Sequence, residues 1–182
     1  MTKSMIIAGS GGQGVLFAGR LIANTAMFVN KKVTWMPEYG PAMRGGTCNC
    51  CVIVSDDEIA SPVRLNPDIA VVHTVPSFHK FVPRIAPGGV AVIDSSLIAD
   101  KTDRTDISVV YVDAAKIAAD ADIPGYGSLI MVGKMLAHTK MFTYDEIVAA
   151  VNKLEGTTRR IEDGIVTVAD KNKKALKLGF EA

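Results

Sequence analysis

The stretch Met5-Ile-Ile-Ala-Gly9-Ser-Gly11-Gly-Gln-Gly14-Val-Leu-Phe17 decides the fold of this chain. A short apolar run leads into glycines spaced as G-x-G-x-x-G, and a helical periodicity of apolar residues follows the last glycine. A strand, a glycine turn and a helix in that order are typical of the first unit of a Rossmann-like domain, in which the glycines let a ligand phosphate approach the backbone.

The rest of the chain alternates between apolar runs that predict strands and periodic segments that predict helices. The predicted strands span 4–8, 32–36, 47–55, 69–73, 89–94 and 108–112, and the predicted helices span 13–29, 77–82, 114–121, 128–138, 143–154 and 170–178. Continuous apolar strands are typical of a parallel sheet that is buried on both faces. We therefore predict an α/β fold: a single Rossmann-like domain over residues 1–182, with a mostly parallel sheet and helices on both faces.

Composition narrows the functional classes. The chain has 182 residues, 48% of them hydrophobic, and a net charge of +1. A net charge this small gives no basic field for nucleic acid. No apolar run reaches the roughly 18 residues of a membrane span, and the N-terminal apolar run is too short for a signal peptide. We expect a cytoplasmic protein that binds neither nucleic acid nor membranes.

The cysteines and His73 do not form a recognisable catalytic or metal site. The three cysteines, Cys48, Cys50 and Cys51, crowd into one predicted strand. That spacing supplies neither a four-ligand metal site nor a disulfide framework. We expect reduced structural thiols, with a redox or interface role as the alternative. His73 ends a predicted strand, and we interpret it as a structural histidine rather than a catalytic one. The sequence predicts no catalytic and no metal-binding residue.

The glycine turn is only half of a dinucleotide-binding signature. The full signature places an acidic residue at the end of the second strand, where it binds the ribose. Here that strand ends in Thr34-Trp-Met-Pro37, and the nearest acid, Glu38, falls in a predicted loop over residues 37–46. No basic residue stands there for an NADP phosphate. Three interpretations of the turn stay open: a dinucleotide site, a structural turn, or a site for the phosphate of another ligand.

A second motif narrows the choice of family. Glu38-Tyr-Gly-Pro-Ala-Met-Arg-Gly-Gly-Thr47 follows the glycine turn, and Ser61-Pro62 and Asn66-Pro-Asp68 come after it. Together with Gly9-Ser-Gly-Gly-Gln-Gly-Val15, these residues resemble the γ subunits of 2-oxoacid:ferredoxin oxidoreductases over about residues 5–95. The Tyr-Gly-Pro-x-Met-Arg-Gly-Gly form is more similar to the subunits of 2-oxoglutarate and branched 2-oxoacid enzymes than to those of pyruvate enzymes.

The resemblance implies one subunit of an enzyme that oxidatively decarboxylates a 2-oxoacid, transfers the acyl group to coenzyme A and passes electrons to ferredoxin. The partners it implies are α, β and ferredoxin-like δ subunits, with ferredoxin as acceptor. Thiamine diphosphate, magnesium and Fe–S clusters would lie in those partners, and none is expected to bind tightly to this chain. The isolated chain is expected to be inactive, and to be able to form a homodimer through the surface that its partners would cover.

The two glycine segments supply the predicted cofactor-binding site. Arg44 beside two glycines combines a bidentate cation with accessible backbone N–H groups, which suits a phosphate such as those of coenzyme A. The residues predicted to bind the cofactor are Gly9, Gly11, Gly12, Gln13, Gly14, Arg44, Gly45 and Gly46. Two other roles for Arg44 stay open: a subunit contact and an internal salt bridge.

The same loop supplies the predicted subunit interface. Its residues are Glu38, Tyr39, Pro41 and Met43, because aromatic residues and methionine are enriched in interfaces. The neighbouring Trp35 is expected in the core. Two other functions remain as alternatives: a free-standing nucleotide-binding oxidoreductase and a small-molecule binding module.

Overall fold

The computed structural model describes residues 1–40, 45–155 and 167–182. The strands are β1 (Thr2–Ser10), β2 (Lys32–Tyr39), β3 (Thr47–Ser55), β4 (Ile69–Val72), β5 (Val90–Asp94) and β6 (Ser108–Val112). The helices are α1 (Val15–Phe28), α2 (Val75–Phe81), α3 (Ala114–Asp120), α4 (Gly127–Thr139), α5 (Tyr144–Glu155) and α6 (Val168–Glu181), and a single 3₁₀ turn spans Val82–Arg84. Among the helices of these described ranges, none is both long enough and apolar enough to cross a bilayer.

The strands form one six-stranded sheet in the order β2-β3-β1-β4-β5-β6. The pairs β1–β4, β4–β5 and β5–β6 are parallel. β3 is antiparallel to both of its neighbours, so the other five strands share one direction. The predicted α/β fold with a mostly parallel sheet is confirmed. The sequence did not reveal that β2 and β3 form a hairpin whose second strand inserts beside β1.

The second strand is longer than predicted. β2 continues through Tyr39, which pairs with Cys48 of β3. The predicted loop over 37–46 is therefore wrong at its start, because Pro37 and Glu38 belong to the strand. Proline lacks the N–H that a central strand needs, but β2 lies at the edge of the sheet and has a neighbour on one side only.

Helices cover both faces of the sheet, as predicted, but unequally. On one face, α1, α3, α4, α5 and α6 enclose the larger core, in which residues such as Ile7 and Val71 are fully buried. On the other face, α2 supplies Phe78 and Phe81 to a smaller core that includes Ala8 and Val72. The smaller core leaves part of the β2–β3 edge uncovered.

The chain order creates a crevice between β1 and β4. From β1 the chain crosses towards β2 at one edge of the sheet, and from β4 it crosses towards β5 on the other side. Open α/β sheets bind ligands where the crossovers diverge in this way, beyond the carboxyl ends of the strands. The N–H of His73, just after β4, donates to the carbonyl of Ala8 in β1 at 2.9 Å. The residues that follow β1 and β4 therefore lie side by side.

Two glycines let α4 and α6 pack with their backbones in contact. A Cβ atom on Gly133 of α4 would overlap the carbonyl oxygen of Leu176. A Cβ atom on Gly179 of α6 would overlap the carbonyl oxygen of Ile130 and lie 2.9 Å from Cα of Gly133. Because the atoms in the way are backbone atoms, a side chain at either position forces the two helices apart.

We therefore expect Gly179→Ala to lower the free energy of unfolding by about 1–3 kcal/mol, the usual cost of overpacking a close contact. Gly127→Ala is the matched control, because its Cβ would lie at an ordinary 3.6 Å from Cβ of Ala114. Urea unfolding followed by circular dichroism measures both. Equal midpoints for the two variants would contradict the close helix contact.

Candidate functional site

The two predicted glycine segments meet at the carboxyl edge of the sheet. The N–H of Gly11 donates to the carbonyl of Gly46 at 2.9 Å, and the N–H of Gly45 donates to the carbonyl of Gly11 at 3.2 Å. The antiparallel pairing of β1 with β3 causes this contact, because Ser10 lies opposite Thr47. The predicted residues that the structure brings together are Gly9, Gly11, Gly12, Gln13, Gly14, Gly45 and Gly46. The other predicted residues of this loop, Pro41, Met43 and Arg44, lie outside the described residues.

The glycines in the turn meet different steric demands. Gly12 and Gly14 have φ angles of 100° and 79°, which L side chains rarely adopt. Gly9 has no room for a side chain, because a Cβ there would overlap the amide oxygen of Gln13 and lie 3.0 Å from Cβ of His73. The same Gln13 oxygen accepts a hydrogen bond from the N–H of Ser10 at 2.7 Å. The side-chain oxygen of Gln13 thus closes the turn.

The N-terminus of α1 faces the turn, and the first turn of this helix carries no counter-charge of its own. Gly14 is the N-cap residue, so no side chain caps the helix, and the first turn contains no acidic residue. The first N–H groups of a helix carry a partial positive charge that favours an anion. The geometry therefore suits a phosphate or carboxylate at this position.

An apolar cavity of about 530 Å³ adjoins the turn. Its walls include Leu16 and Phe17 of α1, Trp35 and Tyr39 of β2, and Cys48 of β3. The expectation that Trp35 lies in the core is wrong, since 37% of it is exposed. The reason is its place on the edge strand, where α1 covers the ring on one side only. Tyr39 is 58% exposed.

Glu38 points away from the glycine turn. Successive side chains of a strand face opposite sides of the sheet. Trp35 and Tyr39 therefore face the apolar cavity, whereas Glu38 lines a separate cavity on the other face. Among the described residues, no acidic side chain lines the cavity beside the turn. Glu38 lies in the second strand, but it faces the wrong side of the sheet to bind a ribose beside the turn. The described structure therefore agrees with the sequence that the ribose-binding acid is missing.

His73 belongs to a buried polar cluster beneath the turn. Its Nδ1 lies 3.5 Å from Oδ2 of Asp94, and its Nε2 lies 3.3 Å from Oγ of Ser128. Asp94 also accepts hydrogen bonds from the N–H and hydroxyl groups of Ser96, at 3.1 and 2.7 Å. His73, Asp94 and Ser128 are each at most 4% exposed. The cluster joins β4, β5 and α4 and gives His73 polar partners, which fits the prediction of a structural histidine.

Sequence reasoning did not find the cluster, because its members are far apart along the chain. Asp94 ends β5 and His73 follows β4. Their position at the ends of neighbouring parallel strands was the one signal in the sequence that could have indicated their contact. The pKa of Asp94 reflects opposing effects: burial raises it, but the contact with His73 and the hydrogen bonds from Ser96 outweigh burial and hold it below its usual range.

The three cysteines are free and buried in β3. Burial raises the pKa of Cys48 and of Cys51, and it raises the pKa of Cys50 to about 12. A thiol with a raised pKa carries little thiolate at neutral pH and reacts slowly. This environment fits reduced structural thiols. Within residues 1–40, 45–155 and 167–182, no group of three or more His, Cys, Asp and Glu side chains is arranged to hold a metal ion.

Comparison with known proteins identifies the family. Residues 4–182 match the family described as pyruvate ferredoxin/flavodoxin oxidoreductase. The chain belongs to this family. The match begins within β1 and includes both glycine segments and the other five strands.

Relatives within the family carry names for different 2-oxoacids. A 2-oxoglutarate synthase subunit KorC from Methanocaldococcus jannaschii is 28% identical over 184 residues, covering 100% of this chain and 94% of the relative. A ketoisovalerate oxidoreductase subunit VorA from Methanothermobacter marburgensis is 34% identical over 131 residues, covering 72% of this chain. The aligned part is only 27% of the length of VorA, so this chain matches a fraction of that longer protein.

A solved structure from the family shares the fold. The γ subunit of a keto/oxoacid ferredoxin oxidoreductase from Geobacter sulfurreducens superposes with a TM-score of 0.81 at 23% identity. The superposition covers 100% of this chain and 95% of the Geobacter subunit. At this identity the likeness supports the overall architecture and nothing finer.

The Asp94 cluster gives a pH-dependent prediction. The folded-state pKa of Asp94 lies below the ordinary 3.8, so its contribution to stability is present above pH 3.8 and disappears as the pH falls through the lower folded value. We expect Asp94→Asn to lower the free energy of unfolding at pH 7 by about 1–3 kcal/mol, because buried polar partners lose a charged acceptor. The difference from wild type should narrow at pH 3.

Urea unfolding at pH 7 and pH 3 measures both effects. Asp113→Asn is the control, because Asp113 is exposed and its side chain makes no capping hydrogen bond to α3. A loss of stability in Asp94→Asn that stays the same at both pH values would contradict the proposed role of the ionised carboxylate.

Proposed function

We propose that this chain is the γ subunit of a multi-subunit 2-oxoacid:ferredoxin oxidoreductase. The enzyme would convert a 2-oxoacid and coenzyme A to acyl-CoA and carbon dioxide and pass two electrons to ferredoxin. The observation that carries the proposal is the family match over residues 4–182, joined to a 2-oxoglutarate synthase subunit that aligns along the whole chain. We propose that residues 1–182 act as one γ domain within the complex, in the cytoplasm.

We favour 2-oxoglutarate as the substrate. The 2-oxoglutarate synthase subunit matches this chain over 94% of its own length, whereas the ketoisovalerate subunit does so over 27%. A relative of about the same length as this chain is a better basis for proposing its substrate than a much longer protein that matches in one part only. The motif containing Met43 and Arg44 also resembles the 2-oxoglutarate and branched 2-oxoacid enzymes.

The decarboxylation chemistry would belong to the partner subunits. Thiamine diphosphate with magnesium would supply the decarboxylation chemistry, and Fe–S clusters would carry the electrons. The described part of this chain offers no suitable group of metal ligands. We therefore assign these groups to the α, β and δ subunits, and no step of the chemistry to a side chain of this subunit.

Binding and orienting coenzyme A is the role that we propose for the glycine turn. The uncapped N-terminus of α1 would hold phosphate oxygens, and the open space beside the backbone of Gly12 would allow their close approach. The adjoining apolar cavity of about 530 Å³ is within the usual size range for part of a cofactor such as a pantetheine arm or an adenine ring. Arg44 would supply the fixed cation beside Gly45.

The predicted interface residues would surround this site. Tyr39 stands exposed at the rim of the apolar cavity and would contact a catalytic subunit, together with Pro41 and Met43. Glu38 faces the other side of the sheet, so the proposed contacts extend over both sides of the β2–β3 edge.

The assignment is tested by an anaerobic affinity purification of the tagged chain from its native host. The eluate is assayed for coenzyme A-dependent viologen reduction with 2-oxoglutarate, pyruvate and 2-oxoisovalerate. Co-purified subunits that carry thiamine diphosphate and Fe–S clusters, with activity on 2-oxoglutarate, would support the proposal in full. A chain that elutes alone with a bound nucleotide would overturn it in favour of a free-standing nucleotide-binding protein.

Arg44 provides a residue-level prediction in the assembled enzyme. Removing a cation that binds a phosphate should raise the apparent KM for coenzyme A roughly tenfold or more, because charge-assisted hydrogen bonds are worth about 1.5–3 kcal/mol. We expect Arg44→Ala to show this change while the KM for the 2-oxoacid stays constant. Arg20→Ala, on the exposed side of α1, is the control. Unchanged coenzyme A kinetics and unchanged assembly in Arg44→Ala would remove Arg44 from the proposed site.

A further inference from the structure

A second cavity, of about 440 Å³, lies on the sheet face opposite the apolar cavity of the glycine turn. Its floor contains Ile6 of β1 and Cys51 of β3, and Phe81 of α2 forms one wall. The segment from Val63 to Pro67, which connects β3 to β4, forms another wall. The smaller helix layer leaves this region open, and no described residue of either glycine segment lines it.

The rim of this cavity is positively charged. Arg64, Lys80 and Arg84 line it, and Glu38 is the one carboxylate among the described residues that does so. No described carboxylate lies within 4.0 Å of any of these three cations. Lys80 Nζ lies 4.9 Å from the ring centroid of Phe81. The rim therefore carries positive charge that the described part of the fold does not neutralise.

Exposed apolar side chains accompany these charges. Leu65 is 80% exposed, and Val63 and Met36 are 46% and 45% exposed. All three line the same cavity. Isolated exposed apolar residues are ordinary, but a group of them bordered by charge is typical of a protein-binding surface.

Asn49 adds a buried polar group to the floor. It lies in β3 and lines the cavity, and it is only 8% exposed. No described residue forms a hydrogen bond with its side-chain amide. An amide offers both donors and an acceptor, which are the complement of a peptide backbone. The amide opens into the cavity and is not sealed in the core, so its donors and acceptor can bond an occupant there.

We propose that this cationic surface, formed by Met36, Asn49, Val63, Arg64, Leu65, Lys80 and Arg84, docks an acidic segment of a partner subunit. Carboxylates of that segment would pair with Arg64, Lys80 and Arg84. Its backbone would bond the amide of Asn49, and an apolar side chain would cover Leu65. A small anion would neutralise the charge but leave Leu65 and Val63 in water, so a polypeptide matches the surface better. This inference rests on the proposed function, because it needs a partner subunit.

The test uses the tagged chain co-expressed with its partner subunits. Arg64→Glu and Leu65→Ser should each weaken retention of the partners about tenfold, as loss of a central interface contact does. The matched controls are Lys116→Glu, at an exposed position of α3, and Met27→Ser, whose side chain is 63% exposed on α1. The controls should retain the partners as wild type does. Thermal unfolding of each isolated variant checks that the exposed substitutions leave the fold intact.

A second arm identifies the occupant directly. The photoreactive residue p-benzoylphenylalanine replaces Leu65, and mass spectrometry identifies the peptide that cross-links to it in the complex. A cross-link to an acidic segment of a partner subunit, together with weakened retention in Arg64→Glu, would support the inference. Normal retention in both Arg64→Glu and Leu65→Ser, or a cross-link to a segment without carboxylates, would overturn it while leaving the subunit assignment standing. Wild-type chain that retains no partner would overturn both.

Discussion

The pairing of β1 with the antiparallel strand β3 is the constraint on which the candidate site depends. The two strands match along nine residue pairs, from Thr2 opposite Ser55 to Ser10 opposite Thr47. Because they run in opposite directions, the end of β1 and the beginning of β3 lie at the same edge of the sheet. That is why two segments more than thirty residues apart share backbone hydrogen bonds at Gly11, Gly45 and Gly46. A parallel β3 would have placed its glycines at the opposite edge.

Much of this arrangement follows from the sequence. The apolar run before Gly9 and the glycine spacing predicted the first strand–turn–helix unit, and continuous apolar segments such as β4 predicted a covered parallel sheet. The direction of β3 was not predictable, because its apolar residues face buried layers whichever way the strand runs. The extent of β2 was misjudged for a different reason: proline usually marks a loop, and only the position of β2 at the edge makes Pro37 acceptable in a strand. The same edge position exposes Trp35, which composition alone would place inside.

The sequence was sufficient to predict the backbone turn of the candidate site, but not the side chains that surround it. Glycine positions report local geometry, so the strand–turn–helix unit around Gly9, Gly11 and Gly14 could be assigned from spacing. The cluster of His73, Asp94 and Ser128 depends on three separate segments that meet only in the folded sheet. The cationic surface is likewise assembled from β2, β3, α2 and the segment after β3. Neither Arg64 nor Arg84 lies in a charge run, so sequence patterns gave no sign of it.

Pro37 also affects how the exposed sheet edge meets other copies of the chain. An open sheet edge offers a row of donors and acceptors to which another polypeptide can add as a further strand, and repeated addition leads to insoluble material. A proline interrupts that row, since it has no N–H to offer. The edge strand β2 also begins with Lys32, whose Nζ lies 2.9 Å from Oε1 of Glu58. These charges lie at the edge to which a strand of another copy would have to pair. The edge strand is therefore protected against self-templated growth, in which copies of the chain would add to one another strand by strand.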